Sequence, residues 1–355
     1  MLTDEQIADF CHAFIEKASP RYIFGLTSYG IEMAKVFNVE GIIDNKTMQT
    51  QIDGFPIISL SQVPSDALIV SSIMDGRPVS AWRTLSAAGH KQIDYFSFYR
   101  YFSHLLSKPT WYHQPEFVRD YAENREAYER IRALLADDIS KRTFDDIINF
   151  RLTNKLQFLA QYNICLNDQY FDLPFIGEYA EHFIDCGSFD GATSVEFMRR
   201  FPSYNTVCIF EPEPRQAQSI QQAMQGRENV YVYPCGVSHS QQKLSFSSSG
   251  STSHASEDGG IDVEMVALDD VLKGRVTFIK MDIEGFESQA LEGAKRIIRQ
   301  QHPLLAVCCY HKPDDFRTLP EQVLGYREDY DIYLRHYTEG LLETVYYFVP
   351  RKGAQ

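Results

Sequence analysis

Apolar positions along this chain come in short runs separated by segments of helical period, and that alternation predicts most of its architecture. Residues 3–18 carry apolar positions at helical spacing. RYIFGLTSYG (21–30) then reads as strand, glycine turn and helix start. VEGIIDN (39–45) and ALIVSSIM (67–74) read as two further strands, and helical spacing returns over 78–89. Strands and helices alternating with short links predict a small parallel α/β domain over residues 1–105. Residues 106–165 differ. In EFVRDYAENREAYERIRALL and FDDIINFRLTNKLQFLAQY, apolar residues recur every three or four positions within dense charge, which predicts two helices in a helical linker.

In a third segment, 166–355, the alternation resumes near residue 180. Strands are expected at 182–186, 206–211, 229–233, 276–282, 304–310, 330–335 and 344–349, the last two joined as a hairpin by the TEG turn near residue 339. Seven strands with intervening helices predict a doubly wound α/β sheet. SSSGSTSHASEDGG (247–260) breaks the pattern, and its polarity suits a solvated mobile loop as well as a lid over a substrate.

Composition narrows the field. With 44% hydrophobic and 23% charged residues the chain can build cores. Its formal charge of -14, from 34 basic and 48 acidic residues without a basic run, argues against nucleic acid as a partner. The seven cysteines contain no C-x-x-C pair and several lie in apolar runs, so they read as buried thiols in a reducing compartment. The N-terminus is acidic and amphipathic, unlike a signal peptide. No window reaches the roughly 20 apolar residues of a membrane span. A soluble cytoplasmic protein is expected, and a homo-oligomer is left open.

Candidate chemistry centres on FIDCGSFDGATS (183–194), an apolar run, a two-glycine turn and a helix start. A dinucleotide turn of the G-x-G-x-x-G type needs its second glycine so that the backbone can approach a pyrophosphate. That position here is Phe189, whose ring obstructs such an approach. A cofactor with an adenosine and no phosphate avoids the difficulty, and S-adenosylmethionine fits. In that reading Gly187 passes close to the methionine portion, Ser188 and Phe189 form the tip of the turn, Gly191 permits strand-to-helix packing, and Asp185 meets the methionine amino group directly or through water. Glu211 in CIFEPEP (208–214) ends the next strand 20 positions after Gly191, placed to accept hydrogen bonds from ribose hydroxyls.

Five ordered motifs, DCGSFDG (185–191), FEPEP (210–214), FIKMDIEGFE (278–287), AVCCYHK (306–312) and YLRHYTEGLLETVYY (333–347), make residues 145–350 similar to the FkbM-type methyltransferases. The resemblance implies a class I S-adenosylmethionine-dependent fold and O-methylation, commonly of sugar hydroxyls in glycan or natural-product biosynthesis. The acceptor would then be a small molecule or a glycan. Many family members carry Ala-Asn or Ala-Tyr where this chain has Ser188-Phe189.

Methyl transfer to a hydroxyl needs in-line positioning and a base. Lys280 and Asp282 share one face of the fourth strand, and His311 follows the fifth with an imidazole expected to titrate near neutral pH. Asp282, His311 and Lys280 are therefore the candidate catalytic residues. Glu284 and Gly285 either serve the site or cap and turn into the next helix. Asp282 and Glu284 alone do not establish a metal site, and none is assigned. Arg335 and His336 either border the acceptor pocket or pack a strand end. In the first domain FGLTSYG (24–30) has Thr27 at the second-glycine position and Asp44 beyond it. This resembles the small Rossmann-like domains preceding some sugar acyltransferases, for which nucleotide-sugar binding and a role in assembly both stay open. The rival readings of the whole chain are an NAD(P)-dependent oxidoreductase and a non-catalytic nucleotide-sugar-binding protein.

Overall fold

A computed structural model describes residues 2–110, 112–246 and 261–352, so the polar stretch 247–260 lies outside the described residues. The chain packs into two compact units that do not follow chain order. One comprises Met1–Val118, Asp145–Cys165 and Tyr337–Leu342; the other comprises Arg119–Phe144, Leu166–His336 and Glu343–Gln355. Among the described residues no helix is long and apolar enough to cross a membrane.

The first unit opens with a helix, Asp4–Ile15, started by a capping box in which Thr3 and Gln6 exchange side-chain-to-backbone hydrogen bonds. Ile7, Phe10, Cys11 and Phe14 form its buried stripe, the spacing that marks one helical face. The sheet holds β1 (Arg21–Phe24), β2 (Gly41–Ile43), β3 (Gln51–Ile52), β4 (Phe55–Ile58), β5 (Leu68–Ser71) and β6 (Lys91–Ile93), in the order β3-β4-β2-β1-β5-β6. Every pair is parallel except β3 with β4. The three strands expected from sequence are present. β3, β4 and β6 escape periodicity because they are two to four residues long and include Pro56, Lys91 and Gln92.

The glycine turn after β1 is closed by its own groups. Thr27 caps the helix Ser28–Phe37 by accepting from the Gly30 amide, and it donates to Ser72. Asp44 likewise accepts from the amides of Lys46 and Thr47. The TEG segment does more than turn a hairpin. Glu339, only 3% exposed, accepts from the Ser80 amide and the Ser80 hydroxyl, each at 2.6 Å, in the first turn of the helix Pro78–Ala87. A carboxylate there satisfies an orphan donor and complements the helix dipole.

In the second unit a seven-stranded sheet holds β7 (His182–Cys186), β8 (Thr206–Phe210) and β9 (Val230–Tyr233). A small sheet of β10 (Gly236–Val237), β11 (Gln242–Phe246) and β12 (Ile261–Val266) follows in the chain. The large sheet is completed by β13 (Phe278–Met281), β14 (Leu304–Cys308), β15 (Tyr330–His336) and β16 (Thr344–Pro350), in the order β15-β16-β14-β13-β7-β8-β9. β16 runs antiparallel to both neighbours and the other pairs are parallel. All seven expected strands are found, and the architecture is the doubly wound α/β one. β13 and β14 are buried throughout, as strands covered on both faces must be. Strand order reverses between β7 and β13, so a ligand crevice is expected outside their carboxyl ends.

Residues 114–153 form three helices, Gln114–Glu123, Arg125–Leu134 and Asp138–Thr153, where two were expected. The charged periodicity runs on through the breaks. What interrupts the chain is Asn124, with φ -122, and an extended Leu135 that bridges Ile332 in β15. If Glu339 anchors the helix it touches, Glu339→Ala speeds hydrogen exchange across Pro78–Ala87, lowering the local opening free energy by about 1–2 kcal/mol. Unchanged protection there would refute that role.

Candidate active site

The turn after β7 is built around a buried ion pair. Asp185 is fully enclosed, and Lys280, 2% exposed on the neighbouring β13, places Nζ 3.1 Å from its Oδ1. The other Asp185 oxygen accepts from the hydroxyls of Ser188 (2.8 Å) and Ser194 (2.7 Å). Lys280 also donates to the carbonyl of Gly187 at 2.6 Å. Burial opposes the ammonium, but Asp185 and Asp282 outweigh it and raise the Lys280 pKa above the ordinary lysine range. Gly187 has φ +78, and a Cβ there would fall 1.9 Å from the Asp282 carbonyl oxygen, so only glycine fits. Gly191, at φ +84, is the N-cap of the helix Ala192–Arg200 and packs over Ile220 and Met224.

Between these glycines Phe189 adopts φ +56 with its side chain 52% exposed. Its amide donates to Glu211 Oε2 at 2.8 Å, and the Glu213 amide donates to Oε1 at 2.9 Å. Glu211 is buried, and burial raises its pKa against those two amides.

At the end of β13 a second cluster forms. Asp282 accepts from the hydroxyls of Tyr170 (2.9 Å) and Tyr310 (3.1 Å), and its Oδ1 lies 3.5 Å from His311 Nε2. The other ring nitrogen of His311 is 2.9 Å from Glu287 Oε1, which also accepts from the Ile283 amide. Glu284 Oε2 is 3.8 Å from His311 Nε2. Ile283 to Phe286 form a tight turn, with Glu284 at φ +56 and Gly285 at φ +93. Burial pushes the Asp282 carboxyl up, yet Lys280, His311 and the two tyrosine hydroxyls hold it below the usual range. Burial raises Glu284 to about 7. Glu343 and Asp315 are likewise raised to about 7, by burial and then by Asp282 and Glu287 respectively.

The family described as Methyltransferase FkbM domain matches residues 185–336. Residues 185–336 of this chain are thus similar to the FkbM methyltransferase domain. A solved methyltransferase FkbM from Methylobacillus flagellatus KT shares the fold, with a TM-score of 0.73 and 22% identity over 97% of this chain and 98% of that one. An rRNA methylase from Streptococcus thermophilus scores 0.34 at 14% identity, covering 50% of this chain and 95% of its own. An O-methyltransferase from Bacillus cereus scores 0.36 at 8% identity over 58% and 90%. No curated protein sequence matches the chain.

Within residues 185–336 the structure gathers the expected residues into two adjoining groups. Asp185, Gly187, Ser188, Phe189, Gly191 and Glu211 form the first, and Asp282, Glu284 and His311 the second. Three expectations change. Asp185 spends its carboxylate on Lys280 and two serines, so it holds the turn and does not point outward. Lys280 is the partner in that pair and is no proton acceptor. His311 does not titrate near neutrality: burial lowers its pKa, but Glu287, then Asp282 and Glu284, raise it to about 10, leaving an imidazolium. Arg335 pairs with Asp137 at 2.7 Å and His336 meets Thr344 at 2.9 Å, both as parts of the scaffold. Tyr170, Tyr310, Glu287 and Glu343 were missed. For Glu287 and Tyr310 their places inside FIKMDIEGFE and AVCCYHK were a usable signal.

Lys280→Met leaves Asp185 buried and unpaired, so it costs about 3–5 kcal/mol in denaturant unfolding. Adding Asp185→Asn to that variant recovers part of the loss, which a merely steric effect of the methionine would not allow. A second prediction concerns pH. His311 keeps its proton to about pH 10 when folded and to 6.5 when unfolded. Its stabilisation is complete below 6.5 and fades as pH climbs through 10. In metal-free buffer the stability gap between the wild type and His311→Gln therefore narrows over that window, and a constant gap contradicts the charge state.

Proposed function

We propose that the chain is an S-adenosylmethionine-dependent O-methyltransferase acting on a hydroxyl of a sugar, or of a glycan or natural-product intermediate. The observation that carries this reading is the pairing of the Asp185–Gly191 turn with Glu211 at the carboxyl ends of β7 and β8, beside the reversal of strand order. The residues fit the cofactor. A carboxylate offers about four acceptor positions, and two amides use only part of the Glu211 capacity, leaving acceptors for a ribose diol. The exposed Phe189 ring stands where a pyrophosphate would need bare backbone. S-adenosylmethionine supplies an electrophilic methyl group on sulfur.

The chain's own groups do the remaining work. Gly187, Ser188 and Phe189 shape the methionine side of the crevice, and Glu211 grips the ribose. In the second cluster Asp282 and Glu284 reach solvent beside His311, with side chains 22% and 36% exposed. One of them takes the acceptor hydroxyl's proton as the S–CH3 bond breaks and the O–CH3 bond forms. Glu284, the more exposed, is assigned that role. His311, with Nε2 3.5 Å from Asp282 and 3.8 Å from Glu284, keeps both carboxylates in place.

Calorimetry with S-adenosylhomocysteine tests the cofactor half. Wild type binds it, Glu211→Ala weakens binding at least about tenfold by losing charged hydrogen bonds, and NAD gives no heat. Binding of NAD in place of the nucleoside would overturn the reading. For the base, Glu284→Gln lowers kcat by about 10²–10⁴ with cofactor affinity unchanged.

A further inference from the structure

Several carboxylates meet at the second cluster. Asp282, Glu284, Glu287, Asp315 and Glu343 gather about the single imidazole of His311, while the Lys280 ammonium is committed to Asp185 and the Gly187 carbonyl. An acidic cluster alone does not make a binding site. Two further features point to a ligand. Asp282, Glu287 and His311 each present one donor atom, and the three atoms lie within 4.8 Å of one another. Glu287 is also 1% exposed, and its Oε2 has no hydrogen-bond partner among the described residues, while Oε1 serves the Ile283 amide and His311. A buried carboxylate oxygen left unmatched is costly unless something of opposite charge meets it.

We propose that Asp282, Glu287 and His311 bind a divalent cation at the carboxyl end of β13. Two carboxylates and one imidazole, which gives up its proton as the cation takes that proton's place, make a hard, mixed oxygen and nitrogen donor set suited to Mn²⁺, where an all-thiolate set would select otherwise. The support expected of a metal site is already in place. Tyr170 and Tyr310 donate to Asp282 and fix its oxygens, as outer partners of metal ligands do. The Ile283 amide holds Glu287 Oε1 and so orients Oε2. With three protein donors, coordination positions remain for water or an acceptor oxygen, and Glu284 stays beside the cation, 3.8 Å from His311 Nε2. The cation site does not depend on the methyl-transfer reading, because its occupancy is measured without cofactor or acceptor.

The test is titration of chelator-stripped full-length chain with Mn²⁺, following the free-ion signal by electron paramagnetic resonance. One saturable site per chain is expected in the wild type. Asp282→Asn and His311→Gln weaken it by about 10- to 100-fold. Glu287→Gln does the same while retaining an acceptor for the Ile283 amide, so a folded variant is available even if the other two fail to fold. Glu123→Gln, on the exposed side of a helix, leaves binding as in the wild type. Absence of saturable Mn²⁺ binding in the wild type, or wild-type affinity in folded Glu287→Gln, overturns the proposal.

Discussion

The ion pair between Lys280 and Asp185 is the constraint from which the site takes its shape. It joins neighbouring strands of the central sheet at the point where strand order reverses, and its members are also tied to the turn through Gly187, Ser188 and Ser194. Two buried charges are tolerable only with close pairing and supporting hydrogen bonds, and here the ion pair at 3.1 Å is supported by Ser188, Ser194 and the Gly187 carbonyl. The same place allows no side chain at Gly187, whose Cβ would strike the Asp282 backbone, while the Asp282 amide donates to the Cys186 carbonyl. The turn after β7 and the carboxylate cluster are thus joined as one piece, set by two adjacent strand ends.

Strain collects around that piece. Phe189, Glu284, Tyr170 and Glu343 all have φ between +56 and +70, a region that residues with a Cβ seldom occupy. Each such residue costs roughly 1–3 kcal/mol and persists only where its surroundings over-determine it. Here the surroundings are visible. Phe189 is held through Glu211, Tyr170 through Asp282, and Glu343 by Gln169, whereas Glu284 sits in a turn fixed by Glu287 on one side and Gly285 on the other. The energy stored in these backbones is offset by the buried network they complete.

Much of this was legible in the chain itself, for a physical reason. β14 and β16 are near-continuous apolar runs because strands covered on both faces leave no solvent side, and DCGSFDG announces its turn because positive φ and close approach demand glycine. What stayed hidden depends on contacts between distant segments. Asp185 looked outward-facing until Lys280, 95 positions later, was seen to claim it. The charge on His311 follows from Glu287 and Asp282, which reach it only after β13 and β14 pair. Tyr170 lies outside the five motifs, and no local pattern distinguishes it from scaffold residues, whereas Glu343 falls inside YLRHYTEGLLETVYY. Nor does a turn signal at TEG tell that Glu339 will find a helix start at Ser80.

The geometry of Glu211 ties recognition to preorganisation. One oxygen closes the turn through the Phe189 amide, and the other closes the start of the next helix through Glu213. The carboxylate is therefore fixed before any ligand arrives, so little side-chain entropy remains to be lost on binding. Had the tip residue been glycine, the turn would have been free to open toward a diphosphate. With Phe189 in a left-handed conformation and its amide already committed, the turn presents a carboxylate and an aromatic face instead. That combination accepts hydroxyls and an apolar or cationic group and disfavours a diphosphate at the tip of the turn.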